Sequence, residues 1–193
     1  PLECLLRKIG LDDAEFGTAG GTQRVHFYAG TGGANKFASG GAFQNATTLW
    51  GTLDSLKKYD VVLLACEAGQ NPGTKPAPAL QAMFDYTKIG GRVFASHWHN
   101  CWLEAGPAPF PTTATFNHQP DLADPFTANI DTTFPKGSAL AEWLVNVSGS
   151  TKLGDLVIRS AQHTVDAVNA TTTQRWIYGT KPTSVQYFTF NTP

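Results

Sequence analysis

A chain of 193 residues, 41% hydrophobic and only 15% charged with a formal net charge of −1, is long enough to bury a full core. It has no excess of basic residues to draw it to nucleic acid or to an anionic membrane. No run approaches the roughly 18 consecutive apolar residues of a membrane span, and no basic start leads into an apolar stretch as in a signal peptide.

The length is read most economically as a single domain, residues 1–193. With so few charges, the surface falls to Thr, Ser, Asn, Gln and Gly, which suits a secreted or periplasmic protein. PLECLLRKIG opens the chain with Pro at a first helical position and Leu2, Leu5, Leu6 and Ile9 at helical spacing, ended by Gly10. The abrupt start leads us to expect a fragment of a longer precursor. Asp12 and Asp13 are expected to cap a short helix.

QRVHFYAG (23–30) alternates as a strand, with His26 in a structural role. The following GTGGANKFASGGAF lacks both the GxxxxGK[ST] lysine and the GxGxxG spacing, so it reads as a flexible surface loop. NATTLWGTLDSLKKYD predicts a helix of about three turns with Leu49, Leu53 and Leu56 on one face. DVVLLAC (60–66) is continuously apolar, the pattern of a parallel strand buried between two helix layers.

PAPALQAMFDYTKIGG predicts a helix with Leu80, Met83 and Phe84 inward and a Gly–Gly stop, and RVFASH (92–97) the next buried strand. After Trp102 the Pro-rich EAGPAPFPTTATF and the turn-rich QPDLADPF cannot form a long helix. FTANID predicts a short strand, and KGSALAEWLVNV a helix with Leu140, Trp143 and Leu144 inward. QRWIYGT and SVQYFTFNT predict a terminal strand pair. Trp50, Trp143 and Trp176 are expected in the core, while His163 has no evident partner.

Helix–strand–helix–strand with short connections predicts a three-layer α/β fold with a mainly parallel sheet flanked by helices. Three cysteines, Cys4, Cys66 and Cys101, match no CxxC metal pattern. In an oxidising compartment they allow one disulfide, Cys4–Cys66 or Cys4–Cys101, and one free thiol. The triplets NAT, NVS and NAT at Asn45, Asn146 and Asn169 match the N-glycosylation pattern but arise readily by chance in such a chain.

YDVVLLACE, a helix ending in GGRVFASH, a Pro-rich loop and a closing RWIYGTKPTSVQYFTFN together resemble the trehalose-utilisation (ThuA-like) group. That group belongs to the class I glutamine-amidotransferase-like superfamily. The resemblance implies a flavodoxin-like or glutamine-amidotransferase-like sheet whose first strand would precede Pro1 and is missing from this chain. It also implies association with that upstream segment. The amidotransferase nucleophile position falls on Ser96-His97-Trp98, where there is no cysteine, and no late H-x-E follows, so glutamine hydrolysis is not expected.

In open parallel sheets, ligands sit beyond the carboxyl ends of the strands, which collects Cys66, Glu67 and the stretch FASHWHNCW at one rim. Three readings share that rim. His97 and His99 are candidate ligands for a divalent metal such as zinc, which wants three or four N, S or O ligands; this would make a metal-dependent hydrolase. Cys66, His97 and Glu67 are candidate catalytic residues: thiol nucleophile, imidazole base and orienting carboxylate. Trp98, His99, Asn100, Trp102, Glu104 and Gln70 are candidate ligand-binding residues, with aromatic faces beside hydrogen-bonding groups. That combination suits a small polar, carbohydrate-like ligand. The first expectation for function is an exported domain that binds or turns over such a ligand. The alternative is a non-catalytic interaction module of a larger extracellular protein.

Overall fold

The structure, a computed structural model, describes residues 2–192. Pro1, read as a first helical position, lies outside the described residues, as do the side chains of Leu2 and Glu3. The chain divides into two compact units, Pro1–Pro107 and Ala108–Pro193.

The first unit begins with helix α1 (Leu2–Lys8), after which Gly10 takes a positive φ of 102°. Asp12 caps a 3-10 turn, its carboxylate accepting from Ala14 N at 2.8 Å, as the sequence suggested. Strands β1 (Phe16–Thr18) and β2 (Val25–Ala29) lead into the glycine-rich stretch. That stretch, expected as a flexible surface loop, folds into a small hairpin of β3 (Lys36–Phe37) and β4 (Gly40–Ala42). Phe37 and Phe43 anchor it against Phe27, with ring centroids 5.3 and 5.4 Å away.

After β5 (Gln44–Asn45) the expected three-turn helix is broken into α2 (Thr47–Trp50) and α3 (Leu53–Leu56). Thr52 is extended and caps α3 through its hydroxyl, which accepts from Ser55 N; a capping threonine ends one helix by starting the next. Strand β6 (Val61–Leu64), helix α4 (Ala77–Lys88), strand β7 (Arg92–Ala95), a 3-10 turn over His97–Asn100 and helix α5 (Cys101–Glu104) complete the unit.

Strands β6 and β7 pair in parallel, Val61 opposite Arg92 and Leu64 opposite Ala95. Helices α2–α4 cover one face of this pair. Leu56, Val62, Leu64, Ala82, Met83 and Tyr86 form a common core, with Leu56 fully buried. Burying a leucine side chain contributes about 1.5–3 kcal/mol. The junction from α4 to β7 requires Gly91, because a Cβ there would overlap the ring of Tyr86, whose hydroxyl donates to Tyr59 O at 2.9 Å.

The second unit is antiparallel. Strands β8 (Ala114–Gln119), β9 (Phe126–Ile130), β10 (Asp155–Ile158), β11 (His163–Val168), β12 (Thr173–Thr180) and β13 (Thr183–Phe190) accompany one helix, α6 (Pro135–Asn146). They form a four-stranded sheet of order β10-β9-β12-β13 and a separate pair β8–β11. Leu122, Phe126, Ala128 and Ala161 make its core. His163 does have a partner here: its Nε2 lies 2.7 Å from Asp166 Oδ1, and Asn117 holds the other carboxylate oxygen at 2.8 Å.

This architecture corrects the expectation of a three-layer, mainly parallel sheet flanked by helices in flavodoxin-like or glutamine-amidotransferase-like fashion. Among the described residues, parallel pairing is confined to the short sheet β1-β2-β5 and the pair β6–β7, and the remaining sheets are antiparallel. DVVLLAC was read as buried on both faces because every position is apolar. In the structure Val62 and Leu64 are 4% exposed but Val61 and Leu63 41% and 39%, so helices cover one face only. In the second unit the two-residue connection at Lys181-Pro182 permits only an antiparallel hairpin. Trp143, expected in the core, is 57% exposed; α6 buries Gly137 and Ala141 instead.

Candidate functional site

The loop after β6, EAGQNPGTKP, turns back on itself. Ala68 and Asn71 both adopt positive φ, 56° and 47°, and the Asn71 amide donates to Glu67 O and Gly69 O. This fold-back carries Lys75 under the strand end. There its ammonium donates to Glu67 Oε2 at 2.6 Å and to Gln70 O at 2.9 Å. Both side chains are buried, with exposures of 2% and 5%. Lys75 Nζ also lies 5.2 Å from the Trp50 ring centroid and 5.9 Å from that of Trp102, two cation–π contacts.

The other Glu67 oxygen, Oε1, accepts from Thr31 N at 2.7 Å. Gly30 makes this approach feasible, because a Cβ there would stand 2.8 Å from that oxygen. Desolvation pushes the Glu67 carboxyl up, but the hydrogen bonds from Lys75 and Thr31 and the Lys75 charge outweigh it and hold the group below its ordinary 4.5.

His99 is fixed in one neutral tautomer. Indole N–H only donates, so Trp102 Nε1, at 3.1 Å, makes His99 Nδ1 an acceptor; Ala65 O only accepts, so His99 Nε2, at 2.8 Å, is the donor. Burial lowers the pKa of His99 from 6.5, opposed by the bond to Ala65 and the Glu67 charge. Nε2 is also 3.8 Å from Glu67 Oε2.

These two depressed groups set a pH prediction. A histidine or carboxyl whose folded pKa lies below its unfolded value contributes stability that is complete above the unfolded pKa and is lost as pH falls through the folded one. Stability is therefore expected to decline below about pH 6.5 as His99 resists protonation, and further below about pH 4.5 through Glu67. Urea titrations from pH 8 to 4 check this, and His99→Gln is expected to flatten the upper part of the decline.

The structure brings together Glu67, Gln70, His99, Trp102 and Glu104 from the sequence-based candidates. Gln70 Nε2 donates to Glu104 Oε2 at 2.6 Å, and Trp102 is 3% exposed against Trp50, ring centroids 5.4 Å apart. His97 is half-buried with its ring 4.3 Å from that of Trp98. Because Leu64 sits opposite Ala95, Cys66 and His97 do leave the sheet at the same end. The hydrogen bonds of the Glu67 carboxylate, however, go to Lys75 and Thr31. Asn100 is 9% exposed.

Zinc at His97 and His99 gains no support from this geometry, since both His99 nitrogens are engaged in protein hydrogen bonds. Among the described residues no three His, Cys, Asp or Glu side chains are grouped so as to hold a metal ion. No helix among them is long and apolar enough to cross a membrane.

All three cysteines are free, so neither expected disulfide is present. Cys66 is exposed and accepts from Ala68 N at 3.4 Å, and Cys4 is exposed. Cys101 is buried, its thiol pushed up to about 11 by desolvation. A thiol-reactive dye is expected to label Cys4 and Cys66 in the folded protein and the third thiol only after denaturation.

A small pocket opens beside Glu67, of about 20 Å³, enough for one water-sized group. Gly30, Thr31, Asn45, Thr47, Trp50 and Glu67 line it, at the carboxyl ends of β2, β5 and β6. Asn45 Oδ1 accepts from both the amide and the hydroxyl of Thr47, which leaves the Asn45 NH₂ as donor at the exposed edge. A larger hollow of about 410 Å³ lies elsewhere in the unit, lined by Gly10, Leu11, Asp12, Glu15 and Arg24.

Comparison with protein-family models, with curated proteins and with solved structures finds no match to this chain.

Sequence reasoning missed Lys75 and Thr31; Trp50, expected in the core, is there, and its edge also lines the pocket. Lys75 is the one lysine in EAGQNPGTKP, eight residues beyond Glu67. A lone lysine after a loop rich in Gly, Asn and Pro, following a strand-end glutamate, was the available signal.

Proposed function

We propose that the first unit is a recognition module for a small, uncharged, hydroxyl-rich ligand of carbohydrate type, which it holds at the pocket beside Glu67. The observation that carries this reading is the Glu67 carboxylate itself. It lines a water-sized pocket at the ends of parallel strands while its charge is matched by Lys75 at 2.6 Å. A carboxylate has about four lone-pair sites, and Thr31 and Lys75 use two, which leaves acceptor capacity for a ligand hydroxyl. The Asn45 NH₂ supplies the complementary donor at the mouth. Because Glu67 and Lys75 neutralise each other and His99 is uncharged, a hydroxyl fits this environment better than an ammonium or a carboxylate.

Export from the cell belongs to the proposal as well. The test is calorimetric titration of glucose, with glucosamine and gluconate as charged controls. Glucose is expected to bind with Kd on the order of 1 mM, the controls more weakly, and Gly30→Ala is expected to remove binding by displacing Glu67. Equal binding of all three compounds, no binding of any, or full binding by the glycine variant overturns the reading.

A further inference from the structure

The four-stranded sheet of the second unit ends on β10, and among the described residues no strand pairs with its far side. Gly154 O accepts from Ile130 N at 2.7 Å, and in the same ladder Leu156 and Ile158 stand opposite Ala128 and Phe126. Along an antiparallel strand, residues that turn their N–H and C=O to the partner alternate with residues that turn them away. Leu156 and Ile158 therefore face β9, while Asp155, Val157 and Arg159 present their backbone groups at the open edge. Such an edge is a template for another strand.

Its sequence matches the edge to itself. The segment is bounded by Gly154 and Ser160, both at positive φ, 85° and 51°, so it is symmetric about Val157. Val157 is 56% exposed. Asp155 and Arg159 flank it at equal spacing with opposite charges. Lys152 bonds Asp155 Oδ2 at 2.9 Å, which leaves Oδ1 as an acceptor. Among the described residues Arg159 has no ion-pair partner in its own chain.

We propose that this edge is a homodimer interface, in which two β10 strands pair antiparallel about a two-fold axis at Val157. Val157 exchanges both backbone hydrogen bonds with its counterpart, and Arg159 N donates to Asp155 O of the other copy. Each Asp155 carboxylate then lies opposite the other copy's Arg159 guanidinium, a favourable cross-strand pair. A slide of two residues breaks both charge pairs, and a slide of four sets like charges against each other, so one register is favoured. So short an edge makes a weak, reversible dimer, with Kd on the order of 0.1 mM. The proposal does not depend on the ligand-binding reading.

Sedimentation equilibrium of the full chain up to about 1 mM tests it. Wild type is expected to dimerise. Val157→Pro is expected to fold, because the N–H it removes faces the open edge, and to stay monomeric. Arg159→Asp, which sets carboxylate against carboxylate, is expected to weaken the dimer at least about tenfold. Asp155→Arg/Arg159→Asp exchanges the two charges and is expected to restore the dimer to within about threefold of wild type. The charge variants decide the matter where Val157→Pro does not fold. Wild type that stays monomeric at about 1 mM overturns the proposal. So does a dimer undiminished in folded Val157→Pro or in Arg159→Asp, or a double variant that associates no better than Arg159→Asp.

Discussion

Replacing Lys75 by methionine is expected to destabilise the protein by about 3–5 kcal/mol, because it leaves the Glu67 carboxylate buried without its counter-charge. The size follows from the asymmetry of buried ion pairs. Assembling the pair gains little over an apolar pair, since desolvation offsets attraction, but removing one member strands the other. A second change that removes the stranded charge is therefore expected to restore most of the loss. Glu67→Gln/Lys75→Met is predicted to be more stable than Lys75→Met alone by at least about 2 kcal/mol, measured by urea denaturation as a double-mutant cycle. Additive single and double variants would mean that the two groups do not meet.

Trp50→Ala is expected to cost about 3–5 kcal/mol and to abolish sugar binding. Trp50 is 4% exposed, packs edge-on against Trp102, and donates from Nε1 to Thr74 O at 2.8 Å, which pins the loop that carries Lys75. Its loss would remove a wall of the pocket and the cation–π contact with Lys75 together. Trp143→Ala is the matched control. With 57% of Trp143 exposed, the same substitution is expected to change stability by no more than about 0.5 kcal/mol. The sequence placed both tryptophans in the core, so the contrast between them tests the structure and not merely the residue type.

What could be read in advance was local. DVVLLAC and RVFASH declared themselves as strands, PAPALQAMFDYTK as a helix with Met83 and Phe84 inward, and the terminal pair around Lys181-Pro182 as a hairpin. Each rests on periodicity or turn chemistry within about ten residues. The sheet organisation was not local. Continuous apolarity in VVLL is the same whether one or both faces are covered, and only the 41% exposure of Val61 decides it. The helix through Trp50 was broken by Thr52, whose capping value depends on a backbone angle that no pattern reveals.

The site divides the same way. Glu67, His99 and Trp102 were legible because they sit at or just past strand ends, where parallel pairs place their functional groups. Lys75 was not, because a lysine in a Gly- and Pro-containing loop is usually solvated. Its burial depends on the left-handed turns at Ala68 and Asn71 that fold the loop back. His99 was a candidate both for a metal and for a polar ligand, because it sits in an HxH pair between tryptophans. Its true partners, Ala65 O and Trp102 Nε1, come from a neighbouring strand end and one helical turn onward.

If the pocket beside Glu67 holds the sugar, a glucose titration of isotope-labelled protein followed by amide and indole chemical shifts is expected to move the Thr31 and Thr47 amides and the Trp50 indole N–H together, saturating with one Kd. Shifts confined to Leu11, Asp12 and Arg24 around the larger hollow, or none at all, would contradict it.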